Sequence, residues 1–404
     1  MLNSDRIVSL AKRAEAIKSP KFGVIAEVRK CVEGVSGVIH LGYGEPDFPT
    51  PKHIREAAKK AIDEGFTHYV LPSEGSTELR NAIAQKVSSK NDLDVDPSKE
   101  IVVTAGVQEA INVAMLSILE SGDEVIMAEP YYYSLPLAVT LGDGTPIYTE
   151  LKENRDFRLD PDDIENKVTS KTKAIALIDP NCPTGSLLTK EDLSAIAEIA
   201  DRHNLLVVTD EIYEGLVYDD AKHYSIASFP GMKERTISIF GFSKSYAMTG
   251  WRVGYIVANE SLMGALKEVH VQLTICVNSI AQKAALAALT GPQACVEEMR
   301  RKYELRRNLF VAGLKRLGIA CKPPKGSFFV YANISRYNLS STEFAKLLAR
   351  DAKVLAYPGT AFSLSRSGEK YIRFSLTASE QDLKKALERI QSVTDELSAG
   401  SSSA

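Results

Sequence analysis

Between about residue 95 and residue 260, short β-branched and apolar runs alternate with longer segments whose apolar residues recur at helical spacing. The runs are EIVVTAG, DEVIMAEP, KAIALIDP, NLLVVTDE, TISIFGF and WRVGYIVA. Segments such as LTKEDLSAIAEIADRHN lie between them, with charges on the face opposite the apolar one. This alternation predicts a mostly parallel α/β sheet covered by helices. Several runs close on polar or small residues: Thr104-Ala105-Gly106, Glu129-Pro130, Asp179-Pro180-Asn181, Asp210-Glu211 and Ser243-Lys244. Open α/β sheets bind ligands beyond the carboxyl ends of their strands, so these five ends are expected to build one site.

After about residue 295 the pattern changes. A long charged helix, CVEEMRRKYELRRNLFVAGLKRLG, leads to a strand-like SFFVYANI, a helix, a second strand-like KYIRFSLT and a final helix. The expected organisation is a large domain over 46–294 and a smaller α+β domain over 295–397. Residues 1–45 join the smaller domain, and SAGSSSA at 398–404 forms a disordered tail.

Composition narrows the function. Lys plus Arg is 49 against Asp plus Glu 52, a balance that argues against nucleic acid as a partner. No run approaches the roughly 18 apolar residues that cross a bilayer, so no membrane partner is expected. The first residues, MLNSDRIVSLAKRAEAIKSPKFG, space their apolar positions as a helix does and lack an apolar block before a cleavage site. The expected compartment is therefore the cytosol. The cysteines at 31, 182, 276, 295 and 321 are odd in number and scattered, which indicates neither a disulfide frame nor a metal site.

One segment carries chemistry. In SIFGFSKSYAMTGWRVGY, a strand delivers Lys244 to a loop and Arg252 follows eight residues later. An imine-forming lysine needs a half-buried place where its amine can be uncharged. A nearby arginine suits a doubly charged phosphate. Taken singly, Lys244 reads as one more solvated surface lysine.

The full string GFSKSYAMTGWRVGY resembles the Schiff-base segment of the class I and II aminotransferases of pyridoxal-phosphate fold type I. HLGYGEPDFPTP, YVLPSEGSTELRNAIA, TAGVQEAI, AEPYYY, NCPTG, VVTDEIY, YPGTAF and YIRFSL follow the family's order over about residues 20 to 390. The resemblance implies a large, mostly parallel sheet of the seven-stranded type plus a smaller α+β domain. It also implies pyridoxal 5'-phosphate as cofactor and a homodimer with shared active sites.

Residue roles follow from the same resemblance. Lys244 carries the cofactor as a Schiff base and shuttles the proton. Gly106, Val107 and Gln108 open a helix whose N–H groups meet the phosphate, with Arg252 and Ser243 beside it. Tyr132 stacks on the pyridine ring. Asp210 ends an apolar strand, where a carboxylate is costly unless paired, and pairs with the pyridine nitrogen. Tyr213 bonds the phenolic oxygen. Tyr69 reaches the phosphate of the neighbouring subunit. Arg373 grips the substrate α-carboxylate, helped by the Gly44 backbone, and Tyr43 borders the substrate. The implied reaction is a ping-pong transamination from an L-amino acid to a 2-oxo acid such as 2-oxoglutarate. Lyases, decarboxylases and amino-acid oxidases on the same fold are the alternative.

Two positions depart from the family. Cys182 stands where an asparagine usually bonds the phenolic oxygen, with Asn181 one residue early. A thiol is a weak donor, so either the Schiff base holds its proton to higher pH, or the loop shifts and Asn181 substitutes, or the position marks an atypical reaction. Gly241 replaces a phosphate-binding Ser or Thr, a role Ser243 partly assumes. For the substrate side chain, the stretch 271–276 has no cation and Gln108 stands where acid-selective relatives have Lys. With Tyr43, Tyr133 and Phe329 offering apolar surface, neutral or aromatic amino acids are expected.

Overall fold

A computed structural model of the chain describes residues 11–17 and 20–401. The helical spacing over residues 1–10 lies outside them; within them, helices occupy Lys12–Ala16 and Pro20–Lys30. In chain order the strands are β1 (Ile39–His40), β2 (Ile101–Thr104), β3 (Glu124–Glu129), β4 (Thr145–Glu150), β5 (Thr172–Ile178), β6 (Leu206–Asp210) and β7 (Thr236–Gly241). They continue with β8 (Gly254–Ala258), β9 (Ala320–Cys321), β10 (Phe329–Asn333), β11 (Val354–Leu355), β12 (Tyr357–Pro358) and β13 (Tyr371–Ser375).

The six runs read in the sequence are β2, β3, β5, β6, β7 and β8, and β4 completes a seven-stranded sheet of order β2-β8-β7-β6-β5-β3-β4. β8 pairs antiparallel with β2 and β7, and every other pair is parallel. β4 escaped the apolar pattern because it is an edge strand, TPIYTE, with only Thr149 buried.

Helices cover both faces, and strand alternation assigns the side chains to them. In β5, Ala174, Ala176 and Ile178 pack with the helix Val107–Ile118, whereas Ile175 and Leu177 pack with the helix Lys190–Arg202. Since β2 and β7 both oppose β8, the carboxyl ends of β2, β3, β5, β6 and β7 share one edge.

C-terminal to this sheet, an antiparallel sheet of order β12-β13-β10-β9 packs with the helices Ala294–Arg316, Ser341–Arg350 and Glu380–Ser401. Phe310, Phe344, Phe374 and Ile390 form its centre. β1 adds in parallel to β11, and the helix Pro20–Lys30 lies against the helix Ser341–Arg350. Of the expected disordered tail, residues 398–401 instead continue the last helix, and residues 402–404 lie outside the described residues. Ser and Ala are tolerated at a helix end, and low complexity alone does not stop one. Among the described residues no helix is long and apolar enough to cross a membrane.

Arg306 of the helix Ala294–Arg316 is buried and forks onto Asp47 at 2.7 and 2.9 Å. It also donates to the Leu376 carbonyl at 3.3 Å. The pair anchors the loop 42–47 to the C-terminal part, so it positions part of the cleft wall. Asp47→Ala strands a buried guanidinium. It is expected to cost about 2 to 4 kcal/mol in urea or thermal unfolding.

Candidate active site

The strand ends surround a cleft of about 380 Å³. β6 delivers Asp210 at its last residue, and the loop after β7 delivers Ser243 and Lys244. The turn after β2 brings in Val107 and Gln108, the loop after β3 brings Tyr132 and Tyr133, and the loop after β5 brings Cys182. Arg373 enters from β13, and Tyr43 and Gly44 from the loop after β1. Glu129, at the end of β3, stays out of the cleft. Its carboxylate accepts from Ser363 Oγ and Ser365 N–H, both at 2.9 Å, tying β3 to the C-terminal part.

One end of the cleft suits an anion. The N–H groups of Val107 and Gln108, at the start of a twelve-residue helix, make no bond to other described residues. Such groups favour negative charge. Gly106 corrects the expectation of three N–H donors, since its own N–H turns back onto the Thr104 carbonyl at 2.7 Å. Its contribution is the missing side chain. At φ +86°, a Cβ there would stand 2.6 Å from an Arg252 terminal nitrogen. The Arg252 guanidinium therefore lies across the turn, donating to Thr249 O at 2.9 Å and Ala105 O at 3.3 Å. Ser243 also lines the cleft.

At the centre Asp210 is buried, and its Oδ1 accepts from Ile212 N–H at 3.1 Å. Burial pushes its pKa up to about 7, against the pull of that N–H and of Lys244. The carboxyl group lacks a close cation and suits one supplied by a ligand. Lys244 Nζ donates to Gly44 O at 2.6 Å. Burial pushes this amine down to about 8, partly offset by Cys182 and Asp210. Near neutral pH a useful fraction is thus uncharged, as a nucleophilic amine requires. Tyr213 is buried edge-on against Phe328 and Phe329, and Tyr132 lies 3.3 Å from Gln108 Oε1. Burial raises both phenols, so both keep their protons.

Arg373 is buried between Phe329 and Phe362, each ring centre 4.3 Å from the guanidinium carbon. It donates to the Gly42 carbonyl and faces Cys182 Sγ at 3.9 Å, while its Nε has no partner. A guanidinium this buried with a donor unspent suits a carboxylate ligand. Gly42 was not foreseen; a Cβ there would sit 2.8 Å from the Tyr357 ring.

Asn181 is the second correction. Its Oδ1 accepts from Thr184 Oγ1 at 2.8 Å and Thr184 N–H at 3.2 Å, capping the turn away from the cleft. Asn181, one residue ahead of Cys182-Pro-Thr-Gly, is spent on its own turn, which leaves Cys182 as the residue facing the cleft. Gly44 lines the cleft with its carbonyl engaged by Lys244, and Tyr43 lines it stacked on His40. Tyr69 is 73% exposed and lies apart from it.

The sequence reading missed Ile25 and Arg29, which the helix Pro20–Lys30 brings to the cleft, and Tyr357 from β12. Arg29 lies over the Tyr43 ring at 5.8 Å. No local pattern separates it from other charged helix residues, since its place depends on how that helix packs.

Burial raises the Cys182 thiol despite Arg373 and Lys244 nearby, so it stays protonated and donates weakly. With pyridoxal phosphate bound, Cys182→Asn supplies a better donor toward the phenolic oxygen. The pH midpoint of the cofactor's visible absorbance is expected to fall relative to wild type. An unchanged midpoint removes Cys182 from that role.

The family model for aminotransferase class I and II matches residues 36–390 of this chain. The chain is 42% identical over 376 residues to aromatic-amino-acid aminotransferase 2 of Thermococcus litoralis, covering 92% of this chain and 96% of that protein. The figures are the same for an aspartate aminotransferase of Pyrococcus abyssi. Among solved structures, Thermus thermophilus aspartate aminotransferase with maleate superposes with a TM-score of 0.89 at 37% identity, covering 95% and 99% of the two chains. With these matches over the fold and the cleft, the chain belongs to the class I and II aminotransferases and is itself an aminotransferase.

Proposed function

We propose that the chain uses pyridoxal 5'-phosphate to move an amino group from an L-amino acid to a 2-oxo acid, with 2-oxoglutarate as acceptor, in two half-reactions. The observation that carries this reading is the meeting of half-buried Lys244 and buried Asp210 in one cleft at neighbouring strand ends, with Arg373 facing the same space. The donor set fits the cofactor. Val107 and Gln108 N–H and Arg252 suit its phosphate, the buried Asp210 its protonated ring nitrogen, and Tyr132 its ring face. When bound, it supplies an electron sink for charge at the substrate α-carbon.

The chain's own residues do the rest. Arg373 holds the substrate α-carboxylate and so aims the α-hydrogen. Lys244 Nζ, when not bonded to the cofactor, would accept the α-proton and carry it away from the α-carbon, a task that its lowered pKa favours. Tyr213 and Cys182, which both line the cleft, would hold the cofactor's phenolic oxygen. The apolar walls keep water from the proton in transit.

Arg29 changes the substrate reading. It places a cation at the mouth, beside the aromatic surface of Tyr43, Tyr133 and Phe329. That combination accommodates acidic as well as aromatic side chains, in keeping with relatives named for aspartate and for aromatic amino acids.

A homodimer is part of the proposal. Phe66, Tyr69, Leu71, Leu273 and Ile275 are all exposed. They lie on segments joined by Ser279 Oγ to Phe66 O at 2.6 Å and His270 to Ser73 O at 3.3 Å. An apolar patch of this kind suits a second copy, and it holds Tyr69 ready for the partner's site.

The test is a screen of amino donors with the cofactor spectrum followed. With aspartate or an aromatic amino acid and no 2-oxo acid, the reaction is expected to stop after one turnover per site, and 2-oxoglutarate restarts it. Continued turnover without acceptor would instead mark a lyase, decarboxylase or oxidase.

A further inference from the structure

Behind the cleft wall lies a second cluster that the transfer reaction does not use. Asp179 and Glu211 each adjoin a cleft residue, Ile178 and Asp210, yet neither lines the cleft. Both meet His223, whose Nε2 is 3.5 Å from Glu211 Oε2 and 3.9 Å from Asp179 Oδ2. The three side chains are at least nine-tenths buried. Asp179 Oδ2, Glu211 Oε1 and His223 Nε2 are all without a hydrogen-bond partner. The other oxygens are satisfied, Asp179 Oδ1 by Leu188 N–H at 2.9 Å and Glu211 Oε2 by the Ser225 hydroxyl.

The surrounding charges are already committed. From the helix Thr77–Asn91, Lys86 pairs with Glu214 Oε1, and Asn91 donates to Glu214 Oε2 at 2.8 Å. From the helix Lys190–Arg202, Asp192 pairs with Arg158 and adds only negative charge near Asp179. Two buried carboxyl groups and an imidazole therefore face one another with no cation to spare. Acceptor atoms at such distances repel unless a proton lies between them. Burial acts in the same sense, raising Glu211, pushing Asp179 up to about 8 and pushing His223 down to about 4. Glu211, Glu214 and His223 are close enough together to suggest a divalent metal instead. Glu214, however, has both oxygens engaged, and the Lys86 ammonium already stands where the ion's charge would fall.

We propose that Asp179, His223 and Glu211 are positioning residues that share protons and clamp the ends of β5 and β6, fixing Cys182 and Asp210 on the two sides of the cofactor site. The backbone links the clamp to the site: Asp179 N–H bonds Asp210 O at 3.1 Å, and Cys182 follows Asp179 by three residues. The inference rests on Asp210 facing the cofactor's ring nitrogen.

Three variants test it, His223→Ala, Glu211→Gln and Asp179→Asn. In the holoenzyme, His223→Ala is expected to lower kcat about tenfold or more at little change in KM. It should also move the pH midpoint of the cofactor absorbance by about half a unit or more. Glu211→Gln, which keeps a neutral group in the same shape, should hold both within about twofold of wild type.

Without cofactor, the wild-type Tm should fall as pH rises from about 4 towards about 8 and then level off, because over that interval the folded carboxyl group holds a proton that the unfolded one has lost. Asp179→Asn should flatten that fall, a readout that stands even if His223→Ala does not fold. Two results would overturn the clamp. One is an unchanged midpoint and kcat in His223→Ala with the same Tm–pH slope in Asp179→Asn. The other is stoichiometric zinc or manganese binding that Glu211→Gln abolishes. An inactive wild type would count against the transamination reading, whereas the clamp is judged by the variants against an active wild type.

Discussion

A carboxylate at the buried end of an apolar strand stays charged only if a cation faces it, and Asp210 is such a group. Around it the cleft gathers four cationic side chains, Lys244, Arg252, Arg373 and Arg29, with no second carboxylate lining it among the described residues. The imbalance makes the site a receptor for anions that also bring one positive centre of their own. A phosphate-bearing cofactor with a protonated ring nitrogen, together with an amino acid's carboxylate, meets that description. The same burial that raises Asp210 lowers Lys244, so one apolar environment prepares the acid to hold a cation and the amine to react.

The fold supplies this environment through strand polarity. Five carboxyl ends share one edge because β8 alone runs against its neighbours, so every loop that follows a parallel strand opens on the same side. Neighbouring residues at an end can then serve opposite faces. Asp210 looks into the cleft while Glu211 turns behind it, and Ile178 and Asp179 divide in the same way. The clamp proposed behind the wall is a consequence of that alternation, with His223 closing the space where the two rear carboxyl groups meet.

Most of the sheet was legible in the chain because buried parallel strands are continuous apolar runs. β4 was not, since an edge strand with one buried residue shows no such run. Lys244, Asp210, Cys182, Tyr132, Tyr213, Arg252 and Arg373 were all identified from ordered motifs, and all border the cleft. What the motifs left ambiguous was local geometry. Asn181 caps its own turn, and Gly106 spends its N–H on Thr104 and matters for the side chain it lacks. Arg29 was beyond reach for another reason, because only the packing of a remote helix brings it to the site.

Whether Lys244 is the cofactor's point of attachment is decided by borohydride reduction. The protein is reconstituted with pyridoxal phosphate, reduced, digested and mapped by mass spectrometry. One modified peptide per chain is expected, with the added mass on Lys244 and none in Lys244→Ala. A label on another lysine, or an unlabelled Lys244 at full cofactor occupancy, would contradict it.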